Sequence, residues 1–295
     1  MSKHYRNCVP VPRLTFLISV FTLALVTVAA YAAESPYDLA WARQIGTTTD
    51  DYGQSVAVDG SGNAYISGYT YGSLGEPNAG LFDAFLAKYD SSGSVLWTRQ
   101  IGTTANDESC SVAVDGSGNA YISGWTYGSL GGPNAGDGDV FLAKYDSSGL
   151  LLWTRQIGTT TWDVSQSVAV DGLGNAYISG YTYGSLGGPN PNPGYADAFL
   201  AKYNSSGSLL WTRQIGTSAD DGSGSVAVDG LGNAYISGET YGSLGGPNPN
   251  TGSGDAFLAK FSAPTAVVPE PGTVFMIAST VVGFAGIAVR RMRRA

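Results

Sequence analysis

Histidine and cysteine are almost missing from this chain of 295 residues, which holds one His (His4) and two Cys, Cys8 and Cys110. Charge is scarce as well: 13% of residues are Asp, Glu, Lys or Arg, against about 25% in an average domain. One imidazole cannot build a His-based metal centre or serve several catalytic roles, so zinc chemistry and His-assisted nucleophiles are excluded where His4 is lost with a leader. What is present is Gly (42) and aromatic residues, with Tyr (18) outnumbering Phe (10), in a chain that is 43% hydrophobic. No Gly-X-Y period runs through the glycines, which excludes collagen, and the chain is too apolar for disorder. The composition describes a turn-rich β protein and is poor material for an enzyme.

Both ends have the composition of processing signals. Lys3, Arg6 and Arg13 precede an apolar run from Leu14 to Ala30, and Ala30-Tyr31-Ala32 supplies small residues for cleavage. This order predicts a secretory signal peptide over 1–32, the alternative being an uncleaved anchor. At the other end Pro269-Glu270-Pro271 closes a linker over 262–271. Residues 272–295 then hold an apolar stretch to Val289 and a tail with Arg290, Arg291, Arg293 and Arg294. About 18 apolar residues suffice for one membrane span, and the arginines favour the cytoplasmic side. This order of Pro-Glu-Pro, helix and basic tail resembles the PEP-CTERM sorting signal. The resemblance implies an exosortase-type membrane protease as partner, export to the envelope or surface of a Gram-negative bacterium that makes exopolysaccharide, and transient membrane anchoring. A permanent single-span anchor is the alternative.

Once both ends are removed, eight bases remain against 23 acids, a net of −15 with Glu270 kept. Such a surface repels phosphate backbones, and no nucleic-acid partner is expected. The eight bases are Arg43, Arg99, Arg155, Arg213, Lys88, Lys144, Lys202 and Lys260. One Arg and one Lys per repeat reads as structural punctuation rather than a basic patch. Cys110 would be left as the sole thiol, at a position held by Gln54, Gln166 and Gly224 in the other repeats.

Those repeats fill residues 39–261. Trp41, Trp97, Trp153 and Trp211 open successive copies at spacings of 56, 56 and 58 residues, a period that marks a repeat architecture. Four strands are predicted per copy, in the first at Ser55–Val58, Ala64–Tyr71, Asp83–Tyr89 and Val95–Ile101. Tight turns at 59–63 and 90–93 use Asp, Asn and Gly to reverse the chain. Four antiparallel strands per unit predict an all-β fold, a β-propeller of four four-stranded blades. The chain starts on an outermost strand (Leu39–Ile45) and ends on a third strand (Asp255–Phe261). Pairing of these N-terminal and C-terminal strands is therefore expected to close the ring, the alternative being an open arc that closes by dimerising.

The repeats also resemble the SBBP family of bacterial β-propeller repeats. The resemblance rests on Val56-Ala57-Val58-Asp59, Gly62-Asn63-Ala64-Tyr65, Gly68-Tyr69-Thr70 and Asp83-Ala84-Phe85-Leu86-Ala87-Lys88. It implies the fold and no catalytic motif, so function has to be argued from a site.

Strand parity places the short, invariant turns on one face of the disc and the longer, variable loops on the other, where a ligand site is expected; neutral drift of solvated loops is the alternative. Asp51, Asp107, Asp163 and Asp221 recur on the loop face and are the candidate carboxylates. Calcium, bound by a ring of these oxygens, is the one cofactor considered. Tyr69, Trp125 and Tyr181, with Glu239 in the fourth copy, and the unique Trp162 are candidates for stacking on sugars, with exopolysaccharide as the partner. The function expected is a non-enzymatic binding or structural module of the envelope or exopolysaccharide matrix. A polysaccharide-active enzyme using the Asp carboxylates is the alternative.

Overall fold

The computed structural model describes residues 38–188, 195–246 and 253–264. The chain divides into Met1–Ala40 and Trp41–Ala295; in the first unit the described residues 38–40 are exposed, and the second holds every strand. Blade one comprises β1 (Asp51–Val58), β2 (Ala64–Thr70), β3 (Asp83–Tyr89) and β4 (Val95–Ile101). Blade two comprises β5 (Asp107–Val114), β6 (Ala120–Thr126), β7 (Asp139–Tyr145) and β8 (Leu151–Ile157), and blade three β9 (Asp163–Val170), β10 (Ala176–Thr182), β11 (Asp197–Tyr203) and β12 (Leu209–Ile215). Blade four has β13 (Asp221–Val228), β14 (Ala234–Thr240) and β15 (Asp255–Phe261). Within each sheet the strands lie in chain order and pair antiparallel. The first strand of each blade starts four residues earlier than its hydrophobic pattern predicts, because Asp51-Tyr52-Gly53 still pairs with Gly68-Tyr69-Thr70.

Local chemistry sets the turns and a bulge. Asp59 Oδ1 accepts the N–H of Ser61 (2.9 Å) and of Asn63 (3.0 Å), while Asn63 Nδ2 donates to Asp59 Oδ2 (2.8 Å). In the same turn Gly62 sits at φ +78°, where a Cβ would be strained. Register shifts between Gly53 and Ser55. There a Cβ on Gly68 would lie 1.8 Å from the Tyr52 carbonyl oxygen, so the bulge needs glycine opposite it.

The cores lie between blades rather than within them. The first cluster joins Tyr65, Ala84 and Leu86 of blade one to Val112, Ile122, Phe141 and Tyr145 of blade two. The same positions recur between blades two and three and between three and four. Polar latches accompany each junction. Trp97 Nε1 donates to Ser147 O (3.2 Å), Arg99 Nε to Gly149 O (2.7 Å), Tyr65 Oη to Gly118 O (3.1 Å) and Val112 N to Ser55 Oγ (3.2 Å). All eight bases of the repeats lie over Trp or Tyr rings. Lys88, buried, also pairs with Asp59 at 3.7 Å. Lys88, Arg99, Lys144 and Arg155 are thus parts of the junctions, each donating to a backbone carbonyl of the next blade.

The expected closure is not formed. The sheet of blade four has three strands, and Trp41–Ile45 is not a strand. That segment instead packs on blade one as β4 packs on blade two: Trp41 Nε1 donates to Ser91 O (3.2 Å) and Arg43 Nε to Gly93 O (2.8 Å). The inner strands β1, β5, β9 and β13 pack serially, but β13 does not pack on β1 as the consecutive ones do. Val56 is accordingly 70% exposed, whereas its counterparts Val112 and Val168 are 6% exposed. Leu258 is 75% exposed, whereas Leu86 and Leu142 are at 1% or less. The junction formed between consecutive blades is therefore not repeated between blade four and blade one.

Candidate functional site

The four recurrent aspartates begin the inner strands on the loop face, yet their carboxylates turn into their own blades. Thr103 N donates to Asp107 Oδ2 (2.6 Å), Thr103 Oγ1 to the same oxygen (2.9 Å), and the Thr126 hydroxyl to Oδ1. Asp51 and Asp163 repeat the pattern with Thr47 and Thr70 and with Thr159 and Thr182. Asp221 keeps the Thr217 contacts (2.5 Å to N, 2.8 Å to Oγ1), but its Oδ1 has no hydrogen-bond partner. Burial pushes Asp107 and Asp163 above the usual carboxylate range, with the Thr hydrogen bonds opposing it. Among the described residues no three His, Cys, Asp or Glu gather as metal ligands. In each of the four aspartates, including those of the expected calcium ring, one carboxylate oxygen ties a strand start to its loop through a threonine. The same geometry gives the enzymatic reading no exposed carboxylate pair at these positions.

Cys110 is chemically quiet. Burial, with the Glu108 charge adding to it, pushes its thiol up to about 12, so it carries no thiolate at neutral pH.

The aromatic candidates do come together, in part. Tyr52 stacks on Tyr69 (4.8 Å between centroids), Tyr69 meets Phe82 (4.9 Å), Phe82 meets Trp125 (5.8 Å) and Trp125 meets Trp162 (6.1 Å). Tyr71 and Tyr127 flank this row, on Phe82 and Trp162 respectively. The row crosses the first two junctions, with Tyr52, Tyr71, Tyr127 and Trp162 exposed on it. Tyr181 lies at the third junction, against Tyr183 (6.1 Å). Phe82, Tyr71 and Tyr127 were not singled out by sequence reasoning. Phe82 stands where the other copies have Gly138, Ala196 and Gly254, and comparing the copies residue by residue would have found it.

Junctions one and two are filled at their loop ends and junction three is not. Phe82 fills the first. Trp162 fills the second by lying over Gly138, where a Cβ would meet its ring at 2.8 Å. The third has Ala196 in place of Phe82 and Asp220 in place of Trp162, leaving a cavity of about 360 Å³. Tyr181, Tyr183, Tyr241, Glu239, Asp220 and Asp221 line it. A larger cavity of about 580 Å³ lies beside Arg99 and Tyr145. There Gln100 bonds Leu74 N (2.6 Å), Gly72 O (2.9 Å) and Asp83 Oδ2 (2.8 Å).

The family model described as "Beta-propeller repeat" (SBBP) matches residues 40–76, 96–132, 152–187 and 210–246. The chain is built of SBBP-type β-propeller repeats. Each match runs through the first two strands of one blade, and the last three begin in the final strand of the blade before it. An uncharacterized WD repeat-containing protein of Acanthamoeba polyphaga mimivirus is 26% identical over 231 residues, 60% of this chain and 16% of that protein. The regulatory protein FlaEY of Caulobacter vibrioides is 30% identical over 172 residues, 53% of this chain and 18% of that protein. This SBBP-repeat chain thus spans less than a fifth of the length of those relatives. Among solved structures, a protein of unknown function from Bacteroides caccae aligns at TM-score 0.38 and 12% identity, over 63% of this chain and 52% of that one. A luciferin-regenerating enzyme aligns at 0.37 and 14%, over 71% and 61%. Likeness at that level carries no argument about function. The sorting residues Pro269, Glu270, Pro271, Arg290 and Arg291, like the leader over 1–32, lie outside the described residues. Among the described residues no helix is long and apolar enough to cross a membrane.

Proposed function

We propose that this SBBP-repeat protein is a non-enzymatic binding module, exported, sorted by an exosortase-type protease and held in the envelope or exopolysaccharide matrix, with the loop face as its binding surface. The observation that carries the reading is the aromatic row from Tyr52 to Trp162, which with its flanking rings presents four exposed aromatic residues across two junctions. Rings of this kind stack on the apolar faces of sugars while neighbouring polar groups bond hydroxyls. The acid excess favours neutral polysaccharide over anionic polymer.

The test is retention of the purified protein on immobilised exopolysaccharide from its own host. Trp162→Ala with Tyr127→Ala is expected to weaken retention about tenfold, the loss of one or two stacking contacts worth about 0.5–1.5 kcal/mol each. No retention of the wild-type protein would end the glycan reading. The sorting reading has its own measurement: the C-terminal mass of the protein recovered from cells should show a cut near Pro269-Glu270-Pro271, and an intact Arg290–Ala295 tail would count against it.

A further inference from the structure

The cavity at the third junction is a binding site in its own right. It exists because the third junction has neither of the two side chains that fill the first two, Phe82 and Trp162, and because two inner-strand positions are glycine only in the fourth blade. Ala196 replaces Phe82, Asp220 replaces Trp162, Gly222 replaces Tyr52, Glu108 and Val164, and Gly224 replaces Gln54, Cys110 and Gln166. A second depression of about 310 Å³ runs on past Gly224, sharing Tyr181, Gly222 and Glu239 with the first. The wall position that is Tyr69, Trp125 and Tyr181 in the first three blades is Glu239 in the fourth. The space therefore keeps three tyrosines and gains two exposed carboxylates, Glu239 and Asp220, the latter accepting Ala196 N at Oδ1 (2.8 Å), with no Lys or Arg among the described residues that line it. At its floor Asp221 is 1% exposed, and its Oδ1 lacks the threonine hydroxyl that the equivalent oxygen accepts in the other three blades.

We infer that this cavity binds a small organic cation, the ammonium of an amino sugar or a quaternary trimethylammonium group. Aromatic faces attract a cation through the ring quadrupole, and the attraction grows where water is displaced. The carboxylates of Asp220, Asp221 and Glu239 supply the counter-charge, and Tyr181, Tyr183 and Tyr241 the walls. The inference is independent of the glycan reading, because the aromatic row lies at the other two junctions.

The full chain would be titrated calorimetrically with tetramethylammonium chloride and with glucosamine, and in parallel with their neutral counterparts neopentyl alcohol and glucose. Binding of either cation at least tenfold tighter than its neutral counterpart is expected, and which cation wins identifies the source of the amine. Ala196→Phe, which copies the filler of the first junction, should abolish the binding while leaving retention on polysaccharide unchanged. Glu239→Gln with Asp220→Asn, both at exposed positions, should weaken it at least tenfold and decides the matter if Ala196→Phe fails to fold. Equal affinity for the neutral probes, or cation binding that survives these substitutions, would overturn the inference.

A different observation carries a second inference. The junction formed three times within the chain leaves one half unused at each end: Leu258 and Tyr235 on blade four, Val56 and Val58 on blade one. Trp41–Ile45 already lies on blade one in the manner of an outermost strand, and among the described residues β15 has no strand beside it of the kind that β3, β7 and β11 each have. We infer that blade four packs on blade one of a second copy, two such contacts related by a twofold axis closing a ring of eight blades. The register of β3 with β4 then sets Leu258 opposite Arg43 and Lys260 opposite Trp41. Light scattering should give twice the chain mass. Val56→Asp and Leu258→Asp should each halve it, and mixing the two variants should restore a two-chain species through the one intact junction. A wild-type mass of one chain would overturn the inference.

Discussion

The aspartate that opens each inner strand shows how a carboxylate can look like a ligand and serve as a fastener. Asp107 and Asp163 are buried, and burial lifts them above the usual range. Turn residues behave oppositely. In Asp59, burial works to raise the pKa, but the bonds from Asn63, Ser61 and Tyr65 carry it below the ordinary value; Asp171 is lowered in the same way. Hydrogen bonds from Asn233 and the turn backbone lower Asp229. The signs give two pH regimes. A carboxylate with a raised folded pKa binds its proton more readily folded than unfolded, so stability rises as pH falls through that raised value toward the unfolded value of about 3.9. The turn aspartates contribute stability above that unfolded value and lose it as pH falls through their lowered ones. The melting temperature is therefore expected to climb slightly as pH falls from neutral toward the unfolded value of about 3.9 and to drop below it. A monotonic fall from pH 7 in thermal melts would contradict this assignment.

At the scale of the element, one blade is a meander whose stability comes from its neighbours. Leu142, fully buried on β7, and Leu258, on β15, occupy equivalent positions in their repeats. Leu142→Ala should cost about 2–5 kcal/mol in urea unfolding, the usual range for a buried leucine. Leu258→Ala should stay within about 0.5 kcal/mol at concentrations where the chain is single, as an exposed site does. Equal losses would mean that Leu258 is covered in the isolated chain. The strands were legible in the sequence because Asp59-Gly60-Ser61-Gly62-Asn63 and Asp90-Ser91-Ser92-Gly93 punctuate alternating apolar runs. The extension of β1 back to Asp51 was not, since Asp51, Tyr52 and Gly53 show no alternation and are held by pairing with β2. Trp125 and Trp162 were visible as departures from the repeat. The cavity was written there too, in Ala196 and Asp220, but only as missing bulk, which has meaning once Phe82 and Trp162 are seen to fill the matching spaces.

For the whole molecule, the repeats announced blades and their number, and they did not announce the bend between them. That angle depends on how Val112, Ile122 and Phe141 seat against Tyr65, Ala84 and Leu86, a matter of volume and shape that one sequence leaves unspoken. Blades two and three have a neighbour on each side, and blades one and four have one each. The chain should then loosen from its ends rather than all at once. In hydrogen exchange on dilute protein, the amides of β1 and β15 should lose protection well before those of β6 and β10. Raising the concentration should erase that gradient, so that the fraying of the end blades reads out, blade by blade, whether they have found company.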